Sequence, residues 1–121
     1  MLYFYPKDDT PGCVGEACDF RDNLEQLAVP VLGVSADDIA SHQGFADKYS
    51  LSFPLLSDPE SALAKRYGSY GEKNMYGKVF EGILRSSFII NPQGHIAEAM
   101  YNVNAKGHVA RLAKRLQELQ G

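Results

Sequence analysis

Short apolar runs typical of strands alternate with helical periodicities along most of the 121 residues. Strands are predicted over residues 2–5, 29–35, 53–56, 83–90 and 95–103, and helices over 11–27, 39–49, 59–67 and 109–119. Residues 69–82, rich in glycine and tyrosine, are predicted to be irregular. The last two strands flank a tight turn at 91–94, which predicts an antiparallel pair. This order predicts an α/β fold with a mixed central sheet and helices on both faces.

Length and charge limit the classes of protein to which the chain can belong. The length suits one domain over residues 1–121 rather than two. A net charge of −3 gives no reason to expect nucleic acid or an anionic membrane as a partner, and no apolar run is long enough to span a bilayer. With two cysteines and no recognisable secretory signal, the protein is expected in the cytoplasm.

Cys13 occupies a position that favours a reactive thiol. Thr10 and Pro11 are typical of a helix start, as N-cap and first helical residue, which places Cys13 in the first turn. There the free N–H groups and the positive end of the helix dipole stabilise a thiolate, and Gly12 leaves the backbone beside the sulfur uncovered. Cysteines at helix starts also occur as small core residues, so position alone does not distinguish a reactive thiol from an inert one.

Cys18 follows Cys13 by five residues. Helix geometry places their Cα atoms roughly 8–9 Å apart and on different faces, whereas a disulfide needs Cα atoms closer than about 7 Å. The two thiols can therefore join only if the first turns of the helix unwind. The spacing leaves two interpretations open. Cys18 captures an oxidised Cys13 after local unfolding, or it packs in the core beside Ala17 and does not react.

The segment YFYPKDDTPGC at residues 3–13, followed by EAC at 16–18, closely resembles the active-site segment of peroxiredoxins. It is most similar to their Q-type branch, also called bacterioferritin comigratory protein. Pro6, Thr10 and Cys13 fill the family pattern Pro-x-x-x-Thr-x-x-Cys. Further similarity covers nearly the whole chain, in GVS at 33–35, FPLLSD at 53–58, MYGK at 75–78, GILRSSF at 82–88 and KGHV at 106–109.

The resemblance implies a thioredoxin-like fold and a thiol peroxidase. Cys13 is then expected to be the peroxidatic cysteine, Thr10 to hydrogen-bond the thiolate and the incoming peroxide oxygen, and Pro6 to shield the sulfur from water. Arg85 is expected beside the sulfur, where its fixed charge favours the thiolate and stabilises the oxygens as the O–O bond breaks. Glu16 is expected to orient Arg85.

The implied reaction begins with attack of the Cys13 thiolate on hydrogen peroxide or an organic hydroperoxide, which gives a sulfenic acid. Cys18 matches the resolving cysteine of many members of the branch, and its condensation with the sulfenic acid forms a Cys13–Cys18 disulfide. Thioredoxin or a similar dithiol then restores both thiols by exchange. The resemblance implies that no metal or organic cofactor is required and suggests a monomer.

Two departures from the family pattern affect these expectations. Gly15, preceded by Val14, lies where polar residues are common, and its low helix propensity is expected to ease the unwinding that Cys18 needs. The family also usually has some tens of residues before the strand that begins at Leu2. The domain is therefore expected to be N-terminally truncated and to lack the usual N-terminal strands. An inactive or partner-completed fragment without turnover is the alternative to an active peroxidase.

Other polar features are expected to be structural. A disulfide oxidoreductase is disfavoured because the cysteines are spaced Cys-x4-Cys rather than Cys-x-x-Cys. His42, His95 and His108 lack metal-ligand spacing, so surface or packing roles are expected for them. Asp8 and Asp9 resemble paired carboxylates, but they lie in a turn, where aspartate is favoured in any case.

Overall fold

Seven strands and five helices make up the part of the chain that the structure, a computed structural model, describes: residues 1–75 and 77–120. The strands are β1 (Leu2–Phe4), β2 (Leu32–Ser35), β3 (Leu55–Ser57), β4 (Tyr70–Met75), β5 (Lys78–Ile83), β6 (Ser86–Ile90) and β7 (Ile96–Met100). The helices are α1 (Pro11–Asp22), α2 (Leu24–Leu27), α3 (Ile39–Tyr49), α4 (Ala62–Arg66) and α5 (His108–Gln120), and a short 3-10 turn (Pro59–Ser61) precedes α4.

Five strands form a mixed sheet in the order β3-β2-β1-β6-β7, with β1 at its centre. β1 is parallel to β2 and antiparallel to β6, so Tyr3 pairs with Gly33 on one side and with Ser87 on the other. β2 and β3 are parallel, whereas β6 and β7 are antiparallel. The predicted α/β fold with a mixed sheet is therefore confirmed, as is the antiparallel pair at its C-terminal end.

The buried side chains of β1 and of Tyr5, which follows it, point alternately to the two faces of the sheet and belong to two core clusters. Tyr3 and Tyr5 point to the face covered by α1, α2, α3 and α5, where the ring of Tyr3 stacks on Phe20 with 4.4 Å between centroids. Leu2 and Phe4 point to the opposite face, which α4 covers. Successive side chains of a strand point to opposite faces, and burial of both predicts helices on both. Full burial of an apolar side chain such as that of Phe4 contributes roughly 1.5–3 kcal/mol to stability.

The segment between α4 and β6 differs from its prediction. Residues 69–82 were expected to be irregular, which is wrong, because β4 and β5 form a separate two-stranded antiparallel hairpin there. Tyr76 lies outside the described residues. The predicted helix over 11–27 is also divided, since α1 ends at Asp22 and α2 begins at Leu24. Gly68, predicted to close the helix before it, has a left-handed φ of 74°.

The C-terminal helix α5 is amphipathic, as predicted. Val109, Leu112 and Leu116 are buried in the same cluster as Tyr3 and Phe20, and the polar positions between them face outward. Within residues 1–75 and 77–120, no helix combines the length and the apolar character that crossing a membrane requires.

Candidate active site

Cys13 lies in the first turn of α1, just beyond the carboxyl end of β1. Pro11 is the first helical residue, and Thr10 occupies the N-cap position with an extended backbone (φ −94°, ψ 152°). The Cys13 residue is only 2% exposed, and its thiol is free. The sulfur is thus shielded from bulk water at the helix end where backbone N–H groups lack intrahelical partners.

Thr10 does not cap α1 with its side chain, contrary to the usual action of an N-cap threonine. Its hydroxyl instead donates to the carbonyl oxygen of Lys7 at 2.8 Å. Because that proton is committed, the Thr10 oxygen can only accept a further hydrogen bond. In this conformation it can therefore accept from a hydroperoxide O–H but cannot donate to the sulfur of Cys13. Pro6, half-buried, begins the same turn.

Arg85 joins the two functional groups of the site. Its Nη2 lies 3.3 Å from Sγ of Cys13, and its Nη1 donates to Oε1 of Glu16 at 2.6 Å. Its side chain is 14% exposed and that of Glu16 is 0% exposed, so the ion pair is shielded from solvent. Burial by itself would lower the pKa of Arg85, but the neighbouring Glu16 and Cys13 raise it overall. A permanent positive charge therefore lies beside the sulfur.

Glu16 is fully buried and carries an unusual carboxyl group. Desolvation raises its pKa to about 7, although the adjacent Arg85 opposes the rise. Its second oxygen, Oε2, is buried without a hydrogen-bond partner among the described residues, and so is the hydroxyl of Tyr3. The carboxylate holds the guanidinium at one nitrogen and leaves the other nitrogen for the sulfur.

Two hydrogen bonds to main-chain carbonyls hold the short segment that carries Arg85 between β5 and β6. The Lys73 ammonium group donates to the carbonyl of Ile83 at 2.9 Å, and the backbone N–H of Val103 donates to the carbonyl of Arg85 at 2.9 Å. A Cβ added at Gly12 would lie 3.2 Å from Nη2 of Arg85. A side chain at residue 12 would therefore make a tight contact with the guanidinium and would displace its flexible end by a few tenths of an ångström.

Cys18 lies on the same uninterrupted helix as Cys13 and is half-buried, unlike its fully buried neighbour Ala17. Both thiols are free. A disulfide between Cys13 and Cys18 therefore requires α1 to open. Of the six predicted site residues, the structure brings Cys13, Arg85 and Glu16 into direct contact, whereas Pro6, Thr10 and Cys18 make no side-chain hydrogen bond to that group within the described residues.

Two of the histidines with predicted surface or packing roles, His42 and His108, are buried and make specific polar contacts. His42 is 5% exposed and pairs with Asp8, which is 7% exposed, at 2.7 Å. His108, fully buried, lies 2.7 Å from the hydroxyl of Ser87 through its Nε2. These are packing positions, as predicted, but each carries a specific polar contact. No motif in the sequence links His42 to Asp8 or His108 to Ser87, so these contacts could not be predicted.

One cluster has the residue types that bind metals. Oxygen and nitrogen atoms of Asp8, Asp37 and His42 lie within 4.8 Å of one another. Each of these side chains is already engaged: Asp37 accepts from the hydroxyl of Ser35 at 2.7 Å, and Asp8 and His42 bind each other. A cation would have to replace these hydrogen bonds, so the donor set fits a hydrogen-bond network better than a metal site.

Comparison with known proteins identifies close relatives of the chain. Residues 1–99 match the family described as AhpC/TSA. A bcp protein of Coxiella burnetii is 48% identical over an alignment of 119 positions, which covers 96% of this chain and 79% of that protein. The peroxiredoxin Bcp of Bacillus subtilis is 42% identical over an alignment of 122 positions, which covers 98% of this chain and 78% of that protein.

A solved structure with a similar fold is the bacterioferritin comigratory protein of Xanthomonas campestris, described with alkyl peroxide reduction activity. It superposes with a TM-score of 0.91 at 39% sequence identity, over 99% of this chain and 78% of that one. The likeness therefore extends over both the sheet and the helix that carries Cys13.

Proposed function

The chain belongs to the AhpC/TSA family of peroxiredoxins, and on that premise we propose that Cys13 is the thiolate that attacks the peroxide. The protein is a thiol-dependent peroxidase with a thioredoxin-like fold. The observation that carries the assignment to Cys13 is the position of Arg85, which binds both the sulfur and the buried carboxylate of Glu16. A helix start and a guanidinium then act on the same sulfur, and both favour its anionic form.

The first step is displacement at oxygen. The Cys13 thiolate donates an electron pair to one peroxide oxygen, the O–O bond breaks, and the leaving oxygen takes a proton to become water or an alcohol. Arg85, held by Glu16, stabilises the negative charge that moves from sulfur to the leaving oxygen. Thr10 accepts a hydrogen bond from the peroxide O–H and so orients the substrate. Pro6 limits access of water to the sulfur.

Cys18 is the resolving residue in this proposal. After α1 opens, its thiol condenses with the Cys13 sulfenic acid, a disulfide forms, and one water molecule leaves. A thioredoxin-type dithiol then reduces the disulfide by two successive exchanges and is itself oxidised. The half-buried position of Cys18 on the same helix supports this order of events. Location in the cytoplasm, a monomeric state and a single domain over residues 1–121 stay predictions.

The test compares wild type with Cys13→Ser, Cys18→Ser and Arg85→Ala in a peroxide-consumption assay driven by thioredoxin. Cys13→Ser is expected to abolish turnover. Cys18→Ser should still form one sulfenic acid per chain and turn over with a small thiol, but not with thioredoxin. Arg85→Ala is expected to slow the reaction with peroxide by about 100-fold, the typical loss for one transition-state donor.

Peroxide consumption that survives in Cys13→Ser would contradict the assignment of the attacking thiol. A wild-type protein that forms a sulfenic acid but never turns over would favour the alternative of an inactive or partner-completed fragment. Turnover of disulfide substrates without peroxide would instead favour a disulfide oxidoreductase.

A further inference from the structure

Residues 5–10 form the turn between β1 and α1, which contains Pro6 and Thr10 and leads into the helix that carries Cys13. Thr10 is fixed to that helix, because its carbonyl accepts from the backbone N–H of Val14 at 2.8 Å. Within the turn, Asp9 has a left-handed φ of 59°, a conformation that costs energy for a residue with a Cβ. The side-chain bond from Thr10 to Lys7 spans only three residues. Contacts from other elements must therefore hold the turn in one conformation.

Asp8 provides the main contact between this turn and the rest of the fold. Its carboxylate accepts from the hydroxyl of Tyr5 at 2.6 Å and from the hydroxyl of Ser41 at 2.8 Å, and Nδ1 of His42 lies 2.7 Å from its Oδ2. Its backbone N–H donates to Asp37 at 2.8 Å. A buried carboxylate with this many partners fixes the position of the chain that carries it.

His42 extends the network from α3 to β3. Its Nε2 lies 3.1 Å from the carbonyl oxygen of Leu56. A carbonyl only accepts, so Nε2 carries a proton and donates it. One further proton lies between Nδ1 and Asp8, because otherwise two lone pairs would face each other at 2.7 Å. A continuous chain of hydrogen bonds thus runs from an edge region of the sheet through α3 to the turn.

We propose that Asp8 and His42 are positioning residues of the peroxidase, which hold the turn so that Pro6 and Thr10 keep their places beside the first turn of α1. The inference rests on the proposed role of Cys13. Among the described contacts, neither residue hydrogen-bonds to Cys13. They therefore act on the placement of the peroxide and not on the charge of the sulfur. Displacement of reacting groups by about 1 Å can cost on the order of 100-fold in rate.

A second link between the same turn and α3 supplies a matched control. Asp9 accepts from the ammonium group of Lys48 at 2.9 Å and from the hydroxyl of Tyr49 at 2.7 Å, and these contacts are exposed. Exposed ion pairs contribute little to stability. Lys48→Ala therefore removes a contact between the same two elements while leaving the buried pair of Asp8 and His42 intact.

The experiment measures single-turnover oxidation of Cys13 by hydrogen peroxide in His42→Ala, His42→Asn, His42→Gln and Lys48→Ala. Asparagine places an amide where Nδ1 lies and can donate to Asp8, whereas glutamine reaches only toward Leu56. We expect alanine and glutamine to slow oxidation about 10- to 100-fold, asparagine to stay within about threefold, and Lys48→Ala within about twofold. The ultraviolet absorbance of the thiolate is recorded against pH for each variant.

The thiolate absorbance separates positioning from a general structural defect. It is expected to follow the wild-type pH dependence in every variant, because Arg85, Glu16 and the helix start are unchanged. A wild-type rate in His42→Ala would overturn the proposal. So would parallel loss of rate and thiolate, or equal rates in the asparagine and glutamine variants. If His42→Ala does not fold, the difference in oxidation rate between His42→Asn and His42→Gln tests the proposal. Failure of the proposed function would instead appear as peroxide consumption in Cys13→Ser.

Discussion

At the scale of single residues, the site depends on one guanidinium that serves two acceptors. Arg85 contacts Cys13 through Nη2 and Glu16 through Nη1. The planar fork of arginine allows both contacts at once, which the single ammonium group of lysine would not reproduce with the same geometry. Gly12 lets Nη2 lie near the helix backbone without a tight contact to a Cβ. The absence of a side chain at residue 12 therefore affects where the positive charge of Arg85 lies relative to the sulfur.

Gly12→Ala is expected to slow the reaction of Cys13 with peroxide by about tenfold. The new Cβ would lie 3.2 Å from Nη2 of Arg85, so the flexible end of that side chain moves and its contact with the sulfur weakens. Stopped-flow oxidation measures the rate. Gly15→Ala is the control for this first step, since its Cβ would meet no atom within 4 Å. An unchanged rate in Gly12→Ala would show that the position of Nη2 does not matter.

At the scale of elements, α1 has two roles that conflict. The intact helix keeps Cys13 beside Arg85 and at a helix start, whereas the proposed disulfide with Cys18 requires the same helix to open. Gly15 lies between the two cysteines and is exposed. A glycine in a helix interior lowers helix stability by about 1 kcal/mol relative to alanine. The helix is therefore weakened in the segment that would unwind to form the proposed disulfide.

Gly15→Ala is expected to slow disulfide formation after peroxide treatment by about fivefold, because 1 kcal/mol makes the open helix that much rarer. Rapid quenching and mass spectrometry follow the conversion of sulfenic acid to disulfide. Gly44→Ala is the matched control: Gly44 lies in α3, and a Cβ there also meets no atom within 4 Å. Equal rates in Gly15→Ala and wild type would mean that opening of α1 does not limit the step.

At the scale of the whole molecule, two buried titratable groups act on stability in opposite directions. Burial raises the pKa of Glu16 to about 7 from 4.5, so the folded state binds the extra proton between these values and stability falls as pH rises. Burial, with the charges of Arg111 and Arg85, lowers the pKa of His108 to about 4 from 6.5. Between about pH 4 and 6.5 the unfolded state therefore binds the extra proton, and stability rises with pH.

Single substitutions are expected to reveal the two opposing slopes. Each shift corresponds to on the order of 3 kcal/mol across its pH range. Glu16→Gln should gain stability relative to wild type as pH rises from about 4.5 to about 7, and His108→Gln should lose it from about 4 to about 6.5. Urea unfolding at a series of pH values measures both. Parallel curves for the wild type and both variants would contradict the assignments.

The order of elements and the place of Cys13 could be predicted from the sequence because periodicity and helix-start residues are local signals. The β4–β5 hairpin could not, since its glycines suggested irregular backbone and its register, Tyr70 opposite Ile83, depends on pairing across the turn. The contact between Asp8 and His42 joins residues 34 apart with no motif to link them. Thr10 was expected to interact with the sulfur, and only the structure shows its hydroxyl turned to Lys7.

The uninterrupted helix that carries both cysteines has a consequence for the working lifetime of the enzyme. If Cys13 is oxidised as proposed, its sulfenic acid cannot reach Cys18 until α1 opens, and it remains within reach of a second peroxide molecule. That second oxidation gives a sulfinic acid, which thiols do not reverse. The fraction of protein lost to this second oxidation therefore depends on how fast α1 opens relative to the second oxidation, which becomes faster as the peroxide concentration rises. A substitution that makes the folded protein more stable at α1 should inactivate it sooner when peroxide is abundant.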